Sequence, residues 1–304
     1  MTKRIIVLGS LNLDIHIPLE RIPIQGETIS LLQASSRAAG GKGANQAVAA
    51  QRLGAQVDFI GAVGSDSAGK ELRKKCQSEG INVEAVDILE NENTGQAFII
   101  LEPDGHNTIM VEGGANKKIG FASIEKMIEA IQCADVVIAQ LETNIEPIIE
   151  LFHVAQNNGV LTILNPAPIT DLLPDELLYL TDIIIPNETE ATRLTKLPVK
   201  TLNDYNKIAK TFADKKIKNT VITLGERGVY YNVAGHEGII AAHKVVPVDT
   251  TAAGDTFIGA FAVKLQSNLD NVREAIDFAN TASSLAVQRM GAMDSIPFQT
   301  EIKS

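Results

Sequence analysis

Val246-Pro247-Val248-Asp249-Thr250-Thr251-Ala252-Ala253-Gly254-Asp255-Thr256-Phe257 is the stretch on which the reading of this chain turns. Pro247 stops an extended run, since it cannot donate to a ladder. Two alanines and a glycine follow, and the Ala/Phe/Leu spacing beyond them predicts a helix over residues 253–266. The first N–H groups of a helix lack internal partners and carry about half a positive charge, which suits phosphate oxygens. Ala252, Ala253 and Gly254 are small enough to leave those groups open. Asp255 sits beside them. A carboxylate there is a poor phosphate ligand but a good proton acceptor for a hydroxyl attacking phosphorus. An acid at that position can also do no more than support the helix start, so the remaining chain has to decide.

Upstream, the chain alternates in βαβ fashion. Strands are predicted at 135–139, 160–164, 182–185 and 219–223, and helices near 124–131, 147–157, 188–194 and 204–215. Short antiparallel strands at 228–232, 238–241 and 244–248 lead into the quoted stretch, and a last helix covers 272–288. The first third holds a strand at 5–9, an extended, turn-rich segment at 13–33, a strand at 56–61 and a helix at 66–79 ended by Gly80. Residues 96–101 and 107–111 read as a hairpin around Pro103-Asp104-Gly105. No repeat, low-complexity tract or linker interrupts this order, so one α/β domain over residues 1–304 is expected.

Hydrophobic residues make up 45% and charged residues 21% of the chain, enough for a sizeable core and against disorder. The net charge of −10, without a basic cluster, argues against nucleic acid or an anionic membrane as partner. It does not oppose phosphate binding through backbone N–H groups. The two cysteines, Cys76 and Cys133, point to a reducing compartment and are each expected to be small buried residues. No signal peptide or membrane span is legible, so the cytoplasm is the expected location. The five histidines show no metal-ligand spacing.

In parallel sheets, ligands bind beyond the carboxyl ends of the strands. There the chain places Asn12 and Asp14, then Gln140 and Glu142, Asn165, Asn187 with Glu188 and Glu190, and Gly225. One such residue is an ordinary cap; five groups in a row describe a polar crevice. Gly40-Gly41-Lys42-Gly43-Ala44-Asn45 is a second glycine-dense helix start, where backbone can approach a ligand and Asn45 can donate to or accept from a hydroxyl. It lacks P-loop spacing. Gly64-Ser65-Asp66-Ser67-Ala68-Gly69-Lys70 has that spacing but continues into Glu71, which cannot replace the magnesium-binding hydroxyl. An ordinary helix start is the better reading there.

Gly40–Asn45, Asn187-Glu188-Thr189-Glu190, Thr223-Leu224-Gly225-Glu226-Arg227-Gly228 and Asp249–Asp255 together resemble the ribokinase family of sugar kinases, in order and nearly end to end. The resemblance implies a three-layer α/β/α sandwich with a mostly parallel central sheet. It also implies a small β-sheet lid from about residues 13–35 and 95–112, with dimerisation through that lid and its apolar strands 15–17 and 99–101. It further implies ATP-dependent phosphorylation of D-ribose at O5, with Asp255 as general base and Ala252, Ala253 and Gly254 as anion hole. Asn12, Asp14, Gly41, Lys42, Gly43, Asn45 and Glu142 would hold the sugar. Asn187, Thr223, Gly225, Glu226, Gly228, Gly254 and Asn280 would line ATP, and Glu190 would act on Mg2+ through water. Asp249, Thr251, Ala286, Arg289, Gly291 and Ser295 would cage an activating K+. Met293-Asp294 departs from the small or proline residues expected there. Alternatives are a kinase for another pentose, a hexose or a nucleoside, or a catalytically silent sugar-binding regulator. The intact Asp255 stretch speaks against silence.

Overall fold

The computed structural model describes residues 2–103, 107–169 and 172–302. In chain order the first strands and helices are β1 (Arg4–Leu8), β2 (Asn12–Pro18), β3 (Ser36–Gly40), α1 (Lys42–Arg52), β4 (Gln56–Gly64), α2 (Ser67–Ser78) and β5 (Asn82–Leu89). β6 (Gly95–Leu101), β7 (Asn107–Glu112), α3 (Phe121–Glu125), α4 (Ile128–Gln132), β8 (Val136–Gln140), α5 (Ile145–Asn157) and β9 (Leu161–Asn165) follow. Then come α6 (Asp175–Tyr179), β10 (Ile183–Ile184), α7 (Glu188–Thr195), α8 (Leu202–Asp214), β11 (Asn219–Thr223), β12 (Val229–Val233) and β13 (His236–Ile240). α9 (Ala253–Lys264) and α10 (Val272–Ala286) complete the series.

β1 shows why the architecture has three layers. Ile5, Ile6, Val7 and Leu8 are all fully buried, as befits a parallel strand covered on both faces. Ile5 and Val7 pack into a cluster with residues of α1, α2, α9 and α10. Ile6 and Leu8 pack into a second cluster with residues of α3 to α8. The two-residue period of the strand thus sorts the helices to the two faces. The central sheet runs β13-β12-β11-β10-β9-β8-β1-β4-β5. It is parallel from β5 to β11, with β12 and β13 added antiparallel. A smaller sheet, β3-β2-β6-β7, stands beside it.

Several expectations need correction. The smaller sheet takes strands from 12–18 and 95–112, but among the described residues 19–35 hold no strand; its remaining strand is Ser36–Gly40, after Pro18, Pro23 and Gly26 have broken the earlier segment. The exposed apolar row lies on edge strand β7 at Ile109, Met110 and Val111, whereas Ile99 is buried and Ile15 and Ile17 are half-buried. Residues 244–248 form no strand, and Val246 is exposed. The helix expected at 124–131 is broken between α3 and α4, while β5 and α6 are additional elements. Cys76 is buried as expected, but Cys133 is exposed at the end of α4. Of the expected hairpin turn, Asp104 and Gly105 lie outside the described residues. Among those described, no helix is long and apolar enough to cross a membrane.

Candidate active site

The carboxyl ends of β1, β8, β9 and β11 meet the starts of α1, α7 and α9 on one side of the sheet. Close backbone approach makes this possible. Gly43 lies so near Gly9 that a Cβ on either would overlap the other's backbone to within 2.6 Å. Ala44 N donates to Ser10 O (3.0 Å) and Gly43 N to Ser10 Oγ (3.3 Å), tying the end of β1 to the start of α1. Glu142, just past β8, accepts from Ser10 Oγ, from Lys42 N (3.1 Å) and from Asn12 Nδ2 (3.5 Å). Asn12 is held from the other side, its Oδ1 accepting from the buried Asn116 Nδ2 at 2.8 Å.

Asp14 follows on β2, in space that the missing side chain of Gly40 leaves free. Burial, with Glu142 and Asp255 nearby, pushes its carboxyl up to about 7, Lys42 opposing. Lys42 is itself half-buried. Burial would lower its ammonium, but the carboxylates of Asp255, Glu142, Glu190 and Asp14 outweigh that and raise it. A cation therefore persists among four acids.

Asp255 lies in the first turn of α9. The N-cap, Ala252, has no side-chain cap bond and sits in the left-handed region at φ 58°, a conformation that costs a non-glycine residue about 1 kcal/mol or more. Ala253 N turns back to Thr250 O at 3.2 Å, so one donor of the expected anion hole is engaged. A Cβ built on Gly254 meets nothing within 4 Å. Asp255 Oδ2 accepts from Asn45 Nδ2 and Oδ1 from Gln46 Nε2, each at 2.9 Å. These contacts exist because α1 and α9 pack closely at Gly259, where a Cβ would come within 2.6 Å of Ala49 Cβ. Burial raises the Asp255 carboxyl above its ordinary value; Lys42, Gln46 and Asn45 pull the other way. The result is a buried acceptor of enhanced basicity next to an uncapped helix start.

Asn187 and Glu190 form a reciprocal capping box at α7. Glu190 N donates to Asn187 Oδ1 (2.9 Å), Asn187 N to Glu190 Oε2 (2.8 Å) and Asn187 Nδ2 to Glu190 Oε1 (2.9 Å). Burial raises the Glu190 carboxyl. A cavity of about 200 Å3 is lined by Lys42, Asn187, Glu190, Gly254 and Asp255 among others. A second, of about 350 Å3, is lined by Thr223, Gly225, Gly228, Asn280 and Ser283 with others. The two share Asn187, Thr223, Ala253 and Gly254. Glu226 lines neither and is exposed.

A larger cavity of about 510 Å3 lies elsewhere, at Gly64–Lys70 and α2. There Asp66 caps its own helix, accepting from Gly69 N (2.8 Å) and from Thr94 N and Oγ1 (2.9 and 2.6 Å). That helix start already holds a carboxylate, which agrees with reading it as no phosphate site.

Asp249 connects the loop before α9 to the chain after α10. Its Oδ1 accepts from Thr251 N (2.9 Å) and Oγ1 (2.6 Å), and its Oδ2 from Gly291 N (2.9 Å). Burial pushes the Asp249 carboxyl up, but these donors outweigh it and hold it below the ordinary range. Ser295 is buried and donates to Ala292 O (2.8 Å), while Ala286 O accepts from Arg289 N (3.0 Å) and the Arg289 side chain turns away to Glu301. Met293 packs into the core and Asp294 pairs with Lys75, so neither side chain of this departure from the expected pattern lines the two cavities. Among the described residues no cluster of three or more His, Cys, Asp or Glu could hold a metal.

Gln46 and Ser10 escape sequence reasoning. Their partners lie 209 and 132 residues away; the local signal for Gln46 is that it stands with Asn45 as a polar pair among the small apolar residues Ala44 and Ala47–Ala50 of α1.

A family model described as pfkB family carbohydrate kinase matches residues 2–299. A ribokinase of Staphylococcus aureus is 43% identical over 302 residues, covering 99% of each chain. A ribokinase of Haemophilus influenzae is 42% identical over 301 residues, covering 99% of this chain and 97% of that one. Among solved structures, Arabidopsis thaliana ribokinase complexed with ribose and ATP matches with TM-score 0.90 at 34% identity, covering 99% of this chain and 97% of that one.

Proposed function

We propose that this chain, which belongs to the pfkB family of carbohydrate kinases, transfers the γ-phosphoryl group of ATP to O5 of D-ribose. The carrying observation is Asp255, a buried, amide-held carboxylate beside the helix start at which two cavities join. Asp255 takes the proton of the attacking hydroxyl. The first turn of α9 stabilises the transferring charge over the open space at Gly254. Asn12, Asp14, Gly41, Lys42, Gly43, Asn45 and Glu142 hold the remaining sugar hydroxyls, and Lys42 offsets the acids around them. Asn187, Thr223, Gly225, Gly228 and Asn280 line the nucleotide, with Glu226 at most at its exposed rim.

ATP-dependent kinases of this family work with a divalent cation, which we assign as Mg2+; it neutralises phosphate charge when bound. Glu190 suits an indirect role. Both its oxygens already accept from Asn187, and Mg2+ is reluctant to give up its waters, so Glu190 is assigned to one of those waters rather than to the ion. The oxygens of Asp249, Thr251, Ala286, Arg289, Gly291 and Ser295 are assigned to K+. Support comes from the Asp249–Gly291 bond, which draws the two stretches together, and from the all-oxygen donor set. The apolar edge of β7 suits a homodimer formed through the lid. The unpaired cysteines suit the cytoplasm.

Asp255→Asn tests the chemistry. The shape is kept but no proton can be taken, so turnover is expected to fall by about 10²–10⁴-fold while calorimetry still detects ribose binding. Near-normal turnover of the purified variant rejects Asp255 as the base.

A further inference from the structure

The geometry points to Gln46, clamped by Gln140, as a positioning residue that fixes how Asp255 faces its substrate. The inference rests on Asp255 being the base. Gln46 and Gln140 are both fully buried. Gln46 Oε1 accepts from Gln140 Nε2 at 2.7 Å. An amide has one donor end and one acceptor end, so this bond commits Gln46 Nε2 to the other side. There it donates to Asp255 Oδ1 at 2.9 Å and to Asn165 Oδ1 at 3.2 Å. Asn165 is anchored in turn, its Nδ2 donating to Ile185 O at 3.1 Å.

The clamp draws on α1, β8, β9 and α9, and two glycines make room for it. A Cβ on Gly9 would overlap the Gln140 side chain, and one on Gly259 would come within 2.7 Å of Gln46 O. Gln46 is absent from the walls of both cavities, whereas Asp255 and Asn165 line the smaller one. It therefore touches the base and not the substrate. With Oδ1 taken by Gln46 and Oδ2 by Asn45, the carboxylate cannot rotate, and its free lone pairs keep one direction. Lys42 from α1, Asp14 from β2, Glu142 after β8 and Glu190 from α7 complete the charged surroundings of Asp255. None of them replaces the donor on Oδ1.

Steady-state kinetics of Gln46→Leu, Gln140→Leu and Asp255→Asn over pH 5–9 test this, with melting curves to establish folding. Gln46→Leu is expected to lower kcat about 10- to 100-fold with KM for ribose within about threefold. It should also move the acid limb of the kcat profile to higher pH, since a donor to the ionised carboxylate is lost. Gln140→Leu, which frees the Gln46 amide to flip, should lower kcat several-fold in the same sense. If Gln46→Leu fails to fold, Gln140→Leu carries the test. A kcat within twofold of the parent in the folded variants, or a uniform loss with an unmoved acid limb, overturns the positioning role while Asp255→Asn is inactive. An active Asp255→Asn overturns the base itself, which is a separate outcome.

Discussion

In the free protein the Asp14 carboxyl, buried near Glu142 and Asp255, is raised from 3.8 to about 7. The folded state therefore binds this proton more tightly than the unfolded chain does. That contribution is fully present below about pH 4 and is lost as pH rises through 7. At 1.36 kcal/mol per pH unit the gap corresponds to roughly 4 kcal/mol as an upper bound. Asp14→Asn removes the penalty of ionising a buried acid. Its melting temperature is expected to exceed that of the parent by a few degrees at pH 8, and by little or nothing at pH 4.5, in scanning calorimetry without ligand. Equal offsets at both pH values contradict the assignment. The same substitution should weaken ribose binding, because it replaces one of the two acceptor oxygens by an NH2 group that can only donate and removes the charge that strengthens the remaining bonds. Stability and binding thus pull this position in opposite directions.

At the scale of the element, α9 holds two glycines five residues apart with opposite duties. Gly254 borders empty space, and Gly259 is pressed against Ala49 and Gln46. Gly254→Ala is expected to leave the melting temperature unchanged or slightly higher, since alanine favours a helix, yet to cut turnover at least tenfold by filling the phosphoryl space. Gly259→Ala is expected to destabilise by about 1–3 kcal/mol through overpacking. Melting curves and initial rates separate the two, and a fully active Gly254→Ala argues against an anion hole there. The α9 start was legible in the sequence because Ala252-Ala253-Gly254 before an apolar helix is a local signal, and the same holds for Gly40–Asn45. Partnership was not. Val246 and Val248 alternate like a strand, but β13 is the last strand of the sheet on that side; among the described residues no strand pairs with them, and Val248 N donates instead to Val287 O (2.7 Å) beyond α10. β5 was missed although it pairs along β4, because its half-exposed pattern lacks the apolar run of a central strand. Gln46 was invisible because its meaning comes from Asp255 and Gln140, far off in the chain.

Across the whole molecule, the sheet brings its strand ends and the starts of α1, α7 and α9 to one rim, while the loop carrying Asp249 joins that rim to the chain beyond α10. If K+ binds the oxygens proposed for it at this loop, the α9 start, whose Ala252 is already strained, should stiffen. Replacing Na+ by K+ at fixed ionic strength is expected to raise kcat several-fold, and Asp249→Ala should abolish the difference; equal rates in both salts reject a cation role. The central claim is transfer to ribose O5, and a substrate panel with product identification tests it most directly. Initial rates with ATP are compared for ribose, 2-deoxyribose, fructose and adenosine, and proton-coupled phosphorus NMR identifies the phosphorylated carbon. The expected result is the highest kcat/KM for ribose, at least about tenfold above 2-deoxyribose and further above adenosine, because buried hydroxyl-binding groups are left unpaired by the others. The phosphate is expected on C5. Equal efficiency with adenosine, or a phosphate on any other carbon of ribose, contradicts the account.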